Sequence, residues 1–199
     1  HERLVGSEMC IRDRDGVKVS YAMGSGFSEA DEHEKAKAMA LAEESDVIVA
    51  VVGGSSSRFG GAVFDANGAA SKGTGSRSMD CGEGMDTAKV HIPAAQEELI
   101  AALARLGKPL VTVVIAGRAY CIEKIENASD AVLYAFYPGP MGGRAVAELL
   151  YGSSNPSGRL PVSMPRHVGQ IPVCYNYRTS VAPAYCDMTV SYTHLTLPT

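Results

Sequence analysis

Three runs of aliphatic residues, Asp46–Val52, Leu110–Ile115 and Ala131–Phe136, are separated by stretches whose apolar positions recur at helical spacing. A strand buried on both faces has no need to alternate, so continuous runs of this kind predict parallel strands. The intervening helices are predicted over His33–Glu44, rich in Ala, Lys and Glu, and over Pro93–Leu106. In the second of these, Pro93 opens the helix, Leu99, Ile100, Leu103 and Leu106 form the apolar stripe, and Gly107 ends it. Shorter helices are predicted at Cys121–Glu126 and at Gly143–Tyr151, the latter closed by Gly152. Two weaker strands complete the list, Val17–Met23 from a faint alternation and Arg159–Met164 as an edge strand because of Pro161. Strands alternating with helices imply βαβ units. The expected fold is therefore α/β, a mostly parallel sheet with helices on both faces, a three-layer α/β sandwich.

The stretch Gly53–Gly84 does not fit this rhythm. It is rich in Gly and Ser and too long for an ordinary connection, and such loops are usually functional or disordered. It leaves the carboxyl end of the first predicted strand, where functional loops of an open parallel sheet gather. Its acidic groups and their near neighbours are Asp65, Asp80, Glu83 and Asp86.

Composition narrows the picture. A chain of 199 residues that is 46% hydrophobic and 20% charged can bury one sizeable core. The net charge is −4, with no basic tract to attract nucleic acid and no apolar run near the roughly 18 residues needed to span a membrane. Of five cysteines, Cys81, Cys121, Cys174 and Cys186 show no metal-ligand spacing, and His91 and His167 are isolated. Gly53-Gly54-Ser55-Ser56-Ser57 follows a strand but lacks both nucleotide-binding glycine fingerprints, and Ser56 has no paired His and Asp. No cofactor and no metal are expected.

The two ends read differently from the rest. Leu4–Arg14 and Val190–Thr199 each back-translate to a strand of a transposon sequencing adaptor. Residues 1–14 and 190–199 are therefore expected to be adaptor-derived, leaving 15–189 as an internal fragment of a longer gene. Cys10 falls in the first of these segments. The compartment stays open among bacterial cytoplasm, periplasm and secretion.

Several blocks in order carry a resemblance. They are Met79-Asp80-Cys81-Gly82-Glu83-Gly84-Met85-Asp86, Tyr137-Pro138-Gly139 leading into Gly142-Gly143-Arg144, Asn155-Pro156-Ser157-Gly158-Arg159-Leu160-Pro161, and Pro165-Arg166-His167. Together they resemble the second, α/β-sandwich domain of glycoside hydrolase family 3, the β-glucosidase and β-xylosidase family. The resemblance implies a retaining β-glycosidase acting on terminal β-linked glucosides or xylosides, with its nucleophilic Asp on an N-terminal barrel domain of the same polypeptide. It places the general acid/base at Glu83, with Asp80 as second candidate, and gives Asp86 the task of holding the loop. Asp65 follows if neither acid serves. Arg58, near the loop's start, is a candidate substrate contact. The Arg that the family's segment carries next is Thr87 here. That departure favours one alternative, a noncatalytic sugar-binding or scaffolding domain; the other alternative is a nucleotide-binding α/β domain.

Overall fold

The computed structural model describes residues 16–56, 62–64, 66–67, 70–72, 79–82 and 87–171. Its centre is a three-stranded parallel sheet. Strand β1 (Ile48–Gly53) begins the sheet, and a short antiparallel pair, β2 (Ala62–Phe64) and β3 (Ala70–Lys72), follows it in sequence. Strand β4 (Leu110–Ile115) lies in the middle and β5 (Ala131–Tyr134) beside it, giving the order β1-β4-β5. Ile48 pairs with Leu110 and Gly53 with Ile115; Val111 pairs with Ala131 and Val114 with Tyr134.

Helix α1 (Glu32–Glu44) precedes β1, α2 (Ala94–Ala104) and α3 (Glu123–Ala128) lie before and after β4, and α4 (Gly142–Leu150) follows β5. A 3-10 turn at Val168–Gln170 is held by His167, whose Nδ1 accepts from the Gly169 amide at 3.0 Å. Helix α1 starts one residue earlier than its composition predicts because Asp31 caps it. One Asp31 oxygen accepts the amides of His33 (3.1 Å) and Glu34 (3.0 Å), two of the donors that a helix start leaves unpaired.

Successive strand residues point to opposite faces. On one face Ile48, Ala50, Val52, Leu110 and Val114 form a single core with Ala42 of α1, Leu99, Ile100 and Leu103 of α2, and Ile125 of α3. The other face is fully buried at Val113 but open at Val49 and Val51. At Thr112, a polar residue in the buried layer, the hydroxyl meets Ser129 at 2.7 Å, so its burial leaves no orphan.

The α/β sandwich expected from the aliphatic runs is the fold observed. Two predicted strands are not there. Residues 17–23 form no ladder, and Val17, Tyr21 and Met23 are exposed. Residues 159–164 also form no strand, although Ser163 and Met164 are buried. Pro161 has no amide to give to a ladder, and the segment's pairing is limited to an isolated bridge at Met164.

Candidate active site

The carboxyl ends of β1, β4 and β5 meet, and residues 79–82 lie against them. Just past β1 the Ser55 carbonyl accepts two amides, from Asp80 (2.9 Å) and Cys81 (3.2 Å). The Ser55 amide returns a bond to Asp80 Oδ1 at 2.9 Å. From the segment after β4, Tyr120 donates its hydroxyl to Asp80 Oδ2 at 2.5 Å. Both carboxylate oxygens of Asp80 are thus engaged from two separate elements. From the segment after β5, Tyr137 brings its hydroxyl to 3.1 Å from the Cys81 sulfur. Tyr137 reaches back because Phe136 turns the chain with φ 49°, a left-handed conformation uncommon for a side-chain-bearing residue. The Phe136 carbonyl accepts the Ala116 amide at 3.2 Å, which holds the turn to the end of β4.

Gly54 and Gly82 are required here for different reasons. A Cβ on Gly54 would lie 2.2 Å from the Tyr120 oxygen and 2.9 Å from Asp80 Oδ1, so only glycine lets this pair close over the backbone. Gly82 has φ 110°, a conformation other residues rarely adopt. At the end of β1, the buried Gln96 side chain accepts the Gly53 amide at 2.8 Å and donates to the Gly53 carbonyl at 3.1 Å and the Phe27 carbonyl at 2.8 Å. The amide of α2 therefore fixes the strand end from which the long loop departs.

Burial sets the protonation of the aromatic cluster. Tyr120, 1% exposed, has its hydroxyl pushed far above the ordinary phenol range, first by burial and then by its bond to Asp80 and that group's negative charge. Tyr134 is raised chiefly by burial while its hydroxyl donates to the Arg118 carbonyl, and Tyr137 is raised by burial and by Cys81. These hydroxyls keep their protons throughout the neutral range. Cys121 is pushed up from 9.0 to about 11 by burial, with Glu123 and Glu97 adding to the shift.

An alkaline prediction follows from these directions. Raised acids keep protons in the folded state that the unfolded chain releases. Stability from Cys121 is fully present below pH 9.0 and is lost as pH rises towards about 11, with the buried tyrosines extending the loss upward from their ordinary 10.0. The urea midpoint should fall across that window, and the ultraviolet signal of Tyr120 and Tyr134 ionisation should coincide with unfolding. Ionisation at ordinary pH in folded protein would refute the burial argument.

Of the acids and bases singled out in the sequence, Asp80 is described and the structure gives it two partners. Glu83, Asp86, Asp65 and Arg58 lie outside the described residues, as do Cys174, Cys186 and both end segments. Thr87 sits in a local turn in which its hydroxyl donates to the Lys89 carbonyl (3.0 Å) and accepts the Lys89 amide (3.2 Å). Tyr120 and the structural use of Gln96 were missed by sequence reasoning. Tyr137 carried a signal, since it stands at a strand's carboxyl end in a Pro-Gly block. Among the described residues, no cluster of three or more His, Cys, Asp or Glu is placed to hold a metal, and no helix is long and apolar enough to cross a membrane.

A family model described as the glycosyl hydrolase family 3 C-terminal domain matches residues 8–194. The chain belongs to glycosyl hydrolase family 3. The matched region takes in part of each end segment. The chain is 34% identical over 199 aligned positions to a periplasmic beta-glucosidase of Salmonella typhimurium, covering 90% of this chain and 23% of that protein. It is 34% identical over 159 positions to a beta-xylosidase of Formosa agariphila, covering 80% of this chain and 19% of that protein. Among solved structures, a β-glucosidase from Erythrobacter marinus superposes with a TM-score of 0.71 at 30% identity, over 94% of this chain and 26% of that one. The β-glucosidase of Listeria innocua in complex with glucose gives 0.64 at 29% identity, over 86% and 21%. This family 3 chain thus spans about a quarter or less of each of these relatives.

Proposed function

We propose that this family 3 domain supplies the general acid/base, Glu83, to a retaining β-glycosidase that removes terminal β-linked glucose or xylose. The nucleophilic Asp would come from an N-terminal barrel domain of the same polypeptide. The observation that carries this reading is the anchoring of Asp80-Cys81-Gly82 at the convergent strand ends, one residue before Glu83. A loop acid is catalytically useful only if its backbone is held, because acid/base help depends on the group's position relative to the reacting oxygen. The beta-glucosidase and beta-xylosidase relatives support the substrate class.

In the proposed cycle Glu83 protonates the glycosidic oxygen as the barrel Asp attacks the anomeric carbon. Glu83, now a carboxylate, then takes a proton from the water that releases the sugar. The two carboxyl groups of a retaining site stand about 5–5.5 Å apart, so each domain contributes one and neither suffices alone. Arg58, in the same loop, is proposed as a substrate contact. Residues 1–14 and 190–199 are proposed to be adaptor-derived, with 15–189 the domain fragment; resequencing that finds those codons inside a continuous gene refutes this.

A direct assay compares the purified chain with the full-length polypeptide on nitrophenyl β-glucoside and β-xyloside. The full-length protein should release nitrophenol and the isolated chain should not. Turnover by the chain alone would overturn the divided site. An inactive full-length protein that still binds sugar would favour a noncatalytic domain, in keeping with Thr87 where the family segment carries Arg.

A further inference from the structure

We propose that Asp80 is a positioning residue. Held between the Ser55 amide and the Tyr120 hydroxyl, it fixes the direction in which the chain leaves Gly82 towards Glu83. This inference rests on the reading of Glu83 as acid/base and assigns Asp80 a role distinct from that of a second acid.

Three observations point the same way. The first is attachment. Asp80 Oδ1 is 2.9 Å from the Ser55 amide and Oδ2 is 2.5 Å from the Tyr120 hydroxyl, so both oxygens are tied to the segments that follow β1 and β4. The second is the shape beneath the pair. At Gly54 there is no room for a side chain, since a Cβ would lie 2.2 Å from the Tyr120 oxygen. The third is the donor's permanence. Tyr120 is 1% exposed and its proton is retained well past neutrality, so the bond to Asp80 does not switch with pH in the range where a glycosidase works. The Ser55 carbonyl, accepting the Asp80 and Cys81 amides, makes the grip two-sided. Gly82, the last residue of the gripped stretch, has φ 110°.

The test uses the full-length enzyme and four substitutions, Tyr120→Phe, Gly54→Ala, Asp80→Asn and Asp80→Ala, each made alone and in the Glu83→Ala background. Tyr120→Phe removes the donor. Gly54→Ala forces the pair apart without deleting a hydrogen-bonding group. Asp80→Asn keeps one acceptor oxygen for the Ser55 amide but sets an NH2 donor against the Tyr120 hydroxyl. A positioning role predicts that Tyr120→Phe, Gly54→Ala and Asp80→Ala lower kcat on poor leaving groups, up to ~10²-fold, with KM little changed. Asp80→Asn should cost less than Asp80→Ala, because the bond from the Ser55 amide survives. Because the clamp acts through Glu83, the same changes should cost less than about 3-fold once Glu83 is Ala. Thiol labelling gives a second readout in the same molecules. Cys81 (5% exposed), beside the clamp, should become reactive.

Asp80→Asn as damaging as Asp80→Ala, with azide rescue in both, would make Asp80 a reacting group and overturn the proposal. Losses that persist in full in the Glu83→Ala background would reduce the cluster to general stability and overturn it too. Wild-type kinetics and a protected Cys81 in Tyr120→Phe and Gly54→Ala would do the same. Should Glu83→Ala itself behave as wild type, the acid/base reading falls first, and the proposal, which names Glu83 as the clamp's target, falls with it.

Discussion

Glu83→Ala in the full-length enzyme should lower turnover ~10²–10⁴-fold on substrates with poor leaving groups, the range general acid catalysis typically supplies. On activated aryl glycosides the loss should be far smaller, because a good leaving group departs without a proton. The second half-reaction should then limit, since no base remains to activate water. Added azide, which needs no deprotonation, should attack the glycosyl-enzyme and restore turnover with a β-glycosyl azide as product. This combination separates a missing acid/base from a damaged fold, in which neither leaving group nor azide would matter. If leaving-group dependence appears in Asp80→Ala and not in Glu83→Ala, the acid/base is Asp80; if in neither, Asp65 is next in the loop.

Ile100→Ala should destabilise the domain by about 2–5 kcal/mol, the cost of emptying a buried aliphatic site that cannot fully collapse. Ile100 is 1% exposed on α2 and belongs to the core that α1, α2 and α3 build on one face of the sheet. Val49→Ala is the control from the opposite face. Val49 is 44% exposed and its truncation should fall within about 0.5 kcal/mol. Urea unfolding of the two variants against the parent measures both. Equal losses would mean that the faces of β1 are assigned wrongly.

Much of this architecture could be read from the residues. Leu110–Ile115 was bounded correctly because a run of six aliphatic and β-branched residues, buried in the middle of the sheet, leaves no other reading. Pro93 and Gly107 bracketed α2 for local reasons that need no tertiary context. The failures have equally physical causes. Residues 17–23 alternate, but a strand requires a partner ladder, and no sequence pattern at that site states whether one is present. Arg159–Met164 carries buried side chains and a single bridge residue, Met164, in place of a strand, a distinction periodicity cannot make. At the candidate site, the position of Asp80 beyond a strand's carboxyl end was legible, whereas its use was not. Its partner Tyr120 is 40 residues away in a connecting segment with no repeating pattern. Gln96 looked like an ordinary polar residue of a helix's first turn, and only the proximity of Gly53 makes it a clamp.

The most direct test of the acid/base assignment is the pH dependence of kcat/KM for the full-length enzyme on a poor leaving group, measured beside Glu83→Gln. The general acid must be protonated in the free enzyme, so its ionisation produces the basic limb of the profile. Glutamine has no such proton, and the basic limb should vanish in Glu83→Gln while remaining in Asp80→Asn. A basic limb that survives in Glu83→Gln and disappears in Asp80→Asn would contradict the assignment of Glu83 and reverse the roles of the two acids.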